Sequence, residues 1–178
     1  MSKVITIRSE LLARGSQEAI ARRGHALLEI VLSRDLNRRG ISPPIDVLPS
    51  LSRLMNAGIG ADSTRDDHRD LADQLYACYA RGRQVRDLAA IVGTAALGED
   101  DRRYLAFASD FEHRFSNQGA GRRTIDTTLN LTWDLLARFP RHELSRIRQR
   151  FLDSRHQPAE AGASPATPRN QPDAGTAR

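Results

Sequence analysis

The chain has 178 residues, a formal net charge of +5 and 39% hydrophobic residues, enough for one domain of ordinary size with appendages. A single cysteine, Cys78, excludes an internal disulfide and suits a reducing compartment. No run approaches eighteen apolar residues, and the start, MSKVITIRSELLARG, lacks the apolar core of a secretory signal, so the chain reads as cytosolic with no membrane span.

The positive charge is spread rather than focused. Residues 1–29 carry five basic and three acidic groups, residues 153–178 carry three of each, and the middle carries nineteen and sixteen with the signs interspersed. That is a solvated mixed-charge surface, and no nucleic-acid recognition motif accompanies it, so no nucleic-acid partner is expected. Of 27 basic residues only Lys3 is lysine. A P-loop needs a lysine after its glycine-rich turn, G-x-x-x-x-G-K-[ST]. This polypeptide has none and cannot be a self-sufficient P-loop ATPase.

In chain order, residues 1–32 are ambiguous. Within SQEAIARRGHALLEIVL the apolar positions fit one helical face only loosely, Gly24 interrupts them, and EIVL could equally end a strand. Residues 33–61 read as loop-rich, broken by Gly40, Pro43, Pro44, Pro49, Gly58 and Gly60, with SLSRLM able to form a short helical turn. Prolines keep PPIDVLPSLSRL, residues 43–54, from being helix or central strand.

The character then changes. Ser63 or Thr64 can cap a helix whose buried stripe is Leu71, Leu75, Cys78, Gly82, Val85, Ala89 and Val92, with Asp66 and Asp67 in its first turn. GEDDRR opens a second helix with Tyr104, Ala108, Phe111 and Phe115 on one face, and NQGAGRR ends it. Thr124 can cap a third helix carrying Ile125, Leu129, Trp133 and Leu136. Pro140 suits the first turn of a fourth, with Leu144, Ile147 and Phe151 inward. Residues 64–152 therefore predict a four-helix bundle. From Ser154 onward no side chain larger than alanine is aliphatic or aromatic, which predicts a disordered tail.

Few side chains suggest chemistry. His25, His68, His113, His142 and His156 are scattered, and Cys78 sits on an apolar stripe as core packing, so no metal is expected. Asp66, Asp67, Asp70 and Asp73 complement a helix dipole and neighbouring arginines. Ser50 and Ser52 lack the glycines of a nucleophile elbow. Arg53 stands out. It follows a proline-stiffened stretch, and a rigidly presented guanidinium suits phosphate or carboxylate. The plainer alternative is a structural pair with Asp46 or Asp62.

PPIDVLPSLS, residues 43–52, resembles the signature of the nucleotide-binding subunits of rotary ATPases: Pro, Pro or a small residue, an aliphatic, Asp or Asn, three variable positions, then Ser-x-Ser. The strings IVLSRDLNRRGISPPIDVLPSLSRLMNAGIG, TRDDHRDLADQLYACYARGRQVRDLAAIVG, LGEDDRRYLAFASDFEHRFSNQG and RTIDTTLNLTWDLLARFPRHELSRI extend the resemblance to B subunits of V/A-type ATP synthases over about residues 30–147. The resemblance implies a mainly α chain. Its parts are a divergent segment at 1–29, the loop-rich edge of an α/β nucleotide-binding domain at 30–62, a helical C-terminal domain at 63–152 and a tail at 153–178.

It further implies a non-catalytic, regulatory subunit. Arg53 would be an arginine finger acting in trans on the nucleotide of an adjacent catalytic A subunit. Ser52, Phe115, Asn117 and Gln118 would lie near that nucleotide. ATP or ADP would sit at the A-subunit interface with magnesium supplied there, and this chain alone would bind neither. Central-stalk subunits would be further partners, and the complex would be peripheral on the cytoplasmic face of a proton- or sodium-translocating membrane machine. The resemblance stops abruptly before residue 30, where RGSQEAIARRGHALLE stands and the family's β-barrel and α/β core would precede. This implies a truncated or frameshifted B subunit. The competing expectation is an independent helical interaction module derived from such a subunit.

Overall fold

The computed structural model describes residues 3–7, 28–52, 58–61 and 63–155. Strand β1 (Lys3–Ile7) pairs antiparallel with β2 (Leu28–Leu32), from Lys3 opposite Leu32 to Ile7 opposite Leu28. The ambiguous LEIVL run is thus a strand. Helix α1 (Arg34–Arg38) follows, its N-terminus capped by the Ser33 hydroxyl, which accepts from the Leu36 N–H at 3.3 Å. Strand β3 (Ile45–Ser52) then pairs with the other side of β2, giving among the described residues a three-stranded sheet in the order β1–β2–β3.

The stretch expected as loop is therefore a short helix plus an edge strand. Edge placement is what Pro49 permits, since a proline has no N–H to give a central ladder. The strand is also far from regular. Leu32 and Val31 face Ile45 and Asp46, while Glu29 and Leu28 face Leu51 and Ser52, so residues 47–50 arch out opposite Ile30. Ser50 closes the arch from within: its hydroxyl accepts from the Val31 N–H at 3.0 Å and donates to the Asp46 carbonyl at 2.6 Å.

Helix α2 (His68–Val92) is the long element of the helical part. Its N-cap is Asp67, not Ser63 or Thr64. The Thr64 hydroxyl instead binds back to Gly60, accepting from its N–H at 3.1 Å and donating to its carbonyl at 3.3 Å. The expected stripe is buried from Leu71 through Val85, whereas Val92, in the last turn, is 49% exposed. The helix stops at Gly93, whose φ of +83° favours glycine.

Helix α3 (Glu99–Asp110) has Glu99, Asp100 and Asp101 in its first turn, and its chain continues into a π-helical turn over Phe111–Ser116. Helix α4 (Ile125–Leu136) is capped by Thr124, whose hydroxyl accepts from the Thr127 N–H at 3.2 Å. On its expected inward face Leu129, Trp133 and Leu136 are buried, but Ile125 is exposed.

The fourth helix departs furthest from expectation. Pro140 leads only a single 3-10 turn, Arg141–Glu143, and α5 begins at Gln149 (Gln149–Arg155). Leu144 and Ile147 are still buried, but in the connection. Phe151 is half-buried under two guanidiniums, of Arg148 at 4.8 Å and Arg150 at 4.7 Å, and Leu152 is the buried residue of α5. Ser154 and Arg155, expected in the tail, close this helix; residues 156–178 lie outside the described residues.

The core gathers Leu71, Leu75, Cys78 and Tyr79 of α2, Phe107, Ala108 and Phe111 around α3, and Leu129 to Phe139 of α4 and its end. Tyr79 lies 4.3 Å from Phe111 and Phe107 lies 5.2 Å from Phe139, ring centroid to centroid. Val47 and Leu48, at the crest of the β3 arch, pack against this same core. Helices α2 and α3 come close at Gly82, where a Cβ would lie 2.6 Å from the Tyr104 carbonyl oxygen and 2.7 Å from the Ala108 Cβ.

Candidate functional site

The signature run, residues 43–52, is stitched onto the helical part by a line of polar contacts. At its entrance the Ser42 N–H donates to the Asn117 side-chain oxygen at 3.0 Å, while the Gln118 and Gly119 N–H groups both donate to the Ser42 carbonyl, at 2.9 and 2.8 Å. Asp46 receives Arg83 of α2 at 3.4 Å. The Tyr76 hydroxyl of α2 donates to the Leu48 carbonyl at 2.8 Å. The run ends in Ser52, opposite Leu28, and the next residue is Arg53. Arg53 and Asp62 lie outside the described residues, so only one half of the expected structural alternative is visible: the Asp46 carboxylate is engaged by Arg83.

A buried carboxylate anchors this arrangement. Glu112, 1% exposed in the π-helical turn, receives both terminal nitrogens of Arg86 at 2.7 and 3.0 Å, the Tyr79 hydroxyl at 3.0 Å, and the Arg39 guanidinium. Burial pushes the Glu112 carboxyl up, but the hydrogen bonds from Arg86 and Arg39 outweigh it and hold the carboxyl below its ordinary value. Burial likewise raises Tyr79, to about 12, so its hydroxyl remains a donor. Arg83 also reaches the Tyr79 hydroxyl at 3.3 Å, which links the Asp46 pair to the Glu112 cluster. Sequence pattern gave no warning of Glu112: in SDFEHRF it looks like surface charge, and its only local sign is lying four residues after buried Ala108.

Residues 115–118, expected beside a nucleotide, hold the entrance of the signature. Phe115 stacks on Phe111 at 5.1 Å and is covered by the Arg123 guanidinium, also at 5.1 Å. Arg123 donates to the Arg114 carbonyl at 3.1 Å and to the Phe115 carbonyl at 2.5 Å. Asn117, half-buried, spends its side-chain oxygen on Ser42, and the Gln118 side chain is exposed. The structure thus brings Asn117 and the Gln118 backbone to Ser42, while Phe115 packs between Phe111 and Arg123. Ser52 sits at the other end of β3, four steps of β2 or about 13 Å along the ladder.

Asp66, Asp67 and Asp70 are structural, while Asp73 is exposed on α2. Asp67 takes Arg65 at 2.6 Å and the Trp133 indole at 2.9 Å; burial raises its carboxyl, but these two partners hold it below the ordinary value. Asp66 and Asp70 bind Arg148, and Asp66 also binds Arg150, tying α5 to the start of α2. Cys78 is a buried core thiol raised by burial to about 11, beside the Gln74 amide at 3.3 Å. Among the described residues no helix is long and apolar enough to cross a membrane, and no three His, Cys, Asp or Glu side chains gather around a common point.

Residues 57–156 match the family model for the C-terminal domain of V and A type ATP synthase. The chain belongs to that family. Curated relatives agree. The V-type ATP synthase beta chain of Anaeromyxobacter dehalogenans (strain 2CP-1) is 60% identical over 136 residues, 76% of this chain and 28% of that protein. The B subunit of the A-type ATP synthase of Methanopyrus kandleri is 58% identical over 129 residues, 72% of this chain and 13% of that protein. Among solved structures, NeqB of Nanoarcheaum equitans, itself an ATP synthase component, superposes with a TM-score of 0.58 at 36% identity, over 65% of this chain and 29% of the other. The chain therefore spans less than a third of the length of these relatives. Its similarity to V/A-type B subunits covers the signature and the helical domain together.

Proposed function

We propose that this chain acts as the C-terminal portion of a non-catalytic B subunit in a V/A-type rotary ATP synthase, with Arg53 reaching the nucleotide of an adjacent A subunit. The observation that carries the reading is the stitched signature strand. Residues 42–48 are fixed to α2 and the π-helical turn by Asn117, Arg83 and Tyr76, and that strand ends one residue before Arg53. A guanidinium at the end of a braced strand is suited to meeting charge that builds on a transferring phosphoryl group.

In this reading ATP or ADP is held at the A-subunit boundary, where the partner supplies the phosphate-binding lysine and the magnesium ligands. This chain contributes a charge in trans. It has no P-loop lysine, and its Phe115 and Asn117 are engaged by Arg123 and Ser42. Central-stalk subunits complete the assembly, which sits peripherally at the cytoplasmic face of the membrane.

The test is Arg53→Ala in the assembled ATPase carrying this sequence. Turnover falls by roughly 10³–10⁵, the worth of an arginine finger. Unchanged turnover removes the assignment. A second reading, an independent helical interaction module, is favoured by one observation: among the described residues the core from Leu71 to Leu152 is built by the helical part, with Val47 and Leu48 alone packed on it from the sheet. Sizing the chain with and without a co-expressed A subunit separates the two, since a module ignores that subunit and a B-type portion co-elutes with it.

A further inference from the structure

Five large apolar side chains are exposed among the described residues, and four of them, Tyr76, Leu88, Ile91 and Val92, stand on α2. The opposite face of that helix, from Leu71 to Val85, is the one turned into the core. Single exposed apolar side chains are ordinary, but a row of them along one helix marks a surface that another element covers. The row has a definite order. Ala77, Ala80, Gln84, Leu88 and Ile91 recur at spacings of 3, 4, 4 and 3, so they share one side of α2 over about 21 Å. The half before Gln84 is small: Ala77 and Ala80 floor a hollow of about 400 Å³, edged by Tyr76, Arg81, Gln84 and Arg146. The half after it is large: Leu88 is 42% and Ile91 84% exposed. The row is thus symmetric about Gln84 in position and opposite in size.

From this pattern we infer that the outer face of α2 binds α2 of a second copy of this chain, antiparallel and centred on Gln84. Reversing the helix about Gln84 lays Leu88 over Ala80 and Ile91 over Ala77, filling the hollow, and sets Val92 against Tyr76. It also sets Arg81, three residues before the centre, against Asp87, three after it, once on each side of the axis. Asp87 is exposed and makes no ion pair among the described residues. Arg81 meets only the Asp101 carboxylate, at 3.0 Å through one terminal nitrogen, so its other donors are open. The two Gln84 amides meet on the axis, where each can donate to the other. Arg146, whose N–H is held by the Gln74 side chain at 3.0 Å, stands where the partner's α2 finishes. A cation suits that place, because the last turn of α2 carries no basic residue of its own. A parallel pair would instead set Arg81 against Arg81 and leave the hollow empty. A surface that fits its own reversed copy is what a two-fold contact requires. One helix per chain is a small interface, so the dimer forms at concentrations on the order of 10 µM rather than nanomolar. The inference makes no use of Arg53 and applies to the chain by itself under either reading of its function.

The experiment is sedimentation equilibrium of the full chain over roughly 1–500 µM, with no A subunit present and no turnover measured, so its failure is separate from that of the arginine-finger reading. The parent chain passes from monomer to dimer across this range. Ile91→Ser weakens association at least about 10²-fold, since the side chain is lost twice per dimer. Arg81→Glu faces two carboxylates across the axis and Asp87→Arg faces two guanidiniums, so each variant alone stays monomeric. Mixed in equal amounts they form a heterodimer about as tight as the parent, because every contact then pairs opposite charges. All these positions are exposed, and unchanged thermal unfolding shows that the variants fold. A parent chain that stays monomeric over the whole range would overturn the inference. So would a dimer indifferent to Ile91→Ser and to both charge changes, which would lie on another surface. Monomeric single variants whose mixture also fails to associate would overturn the antiparallel pairing of Arg81 with Asp87.

Discussion

Replacing Gly82 by alanine sets two familiar effects against each other. Inside a helix the exchange gains about 1 kcal/mol, because alanine loses less backbone freedom than glycine. At this position, however, the new methyl lies 2.6 Å from the Tyr104 carbonyl oxygen and 2.7 Å from the Ala108 Cβ. Non-bonded carbon contacts are comfortable at about 3.5–4.0 Å, so α2 and α3 must separate by roughly 1 Å. Neither obstacle can rotate away, since one is backbone and the other a Cβ. The overpacking cost therefore falls near the top of the usual range, about 3 kcal/mol, leaving a net loss of about 2 kcal/mol. For a chain of this size that is a fall in Tm of about 4–8 °C. Urea and thermal unfolding followed through buried Trp133 give the number. Gly58→Ala, whose Cβ would meet nothing within 4 Å, is the control and should stay within about 0.5 kcal/mol. A Gly82→Ala protein as stable as the parent would refute the close approach of the two helices.

Glu112→Gln leaves Arg39 and Arg86 without their buried counter-charge and costs about 3 kcal/mol, the low end for a broken buried pair because both arginines are about a third exposed. The Glu112 carboxyl is held below its ordinary value of 4.5 in the folded state, so its stabilisation is fully present above that pH and is lost as pH falls through the folded value. Acid titration of unfolding should accordingly be shallower in Glu112→Gln; an unchanged slope would show that the carboxylate is not ionised in the fold. Cys78, buried with its thiol raised to about 11, should react with a thiol reagent at about pH 8 only at the rate of unfolding. A fast stoichiometric reaction in native buffer would place it at the surface.

Local signals in the sequence carried a good part of the molecule. The spacing of Leu71, Leu75, Cys78, Gly82 and Val85 located the buried face of α2, and Thr124 located the start of α4, because helix periodicity and capping depend on residues three or four apart. The same local rules misjudged the cap of α2. Thr64 and Asp67 are both suitable types, but neither side chain caps: the threonine hydroxyl is engaged by Gly60 and the Asp67 carboxylate, although at the N-cap position, by Arg65 and Trp133. They also made Pro140 a helix start, where the buried positions Leu144 and Ile147 are met by a 3-10 turn and a connection instead. Apolar spacing reports which side chains face inward, not the backbone that carries them.

What the sequence determined by itself is family membership: the Pro-x-x-Asp to Ser-x-Ser signature and the helical half that follows it are matters of residue type at fixed spacing. The tertiary structure alone decided how the two halves are joined. Glu112 meets Arg39 from 73 positions away, Asp46 meets Arg83 from 37 and Leu48 meets Tyr76 from 28. An ion pair or a hydrogen bond across such separations leaves no period in the chain. It exists only because burying the apolar faces of α2, α3 and the β3 arch brings those groups together, and a carboxylate enclosed in that way stays charged only when its counter-charges arrive with it.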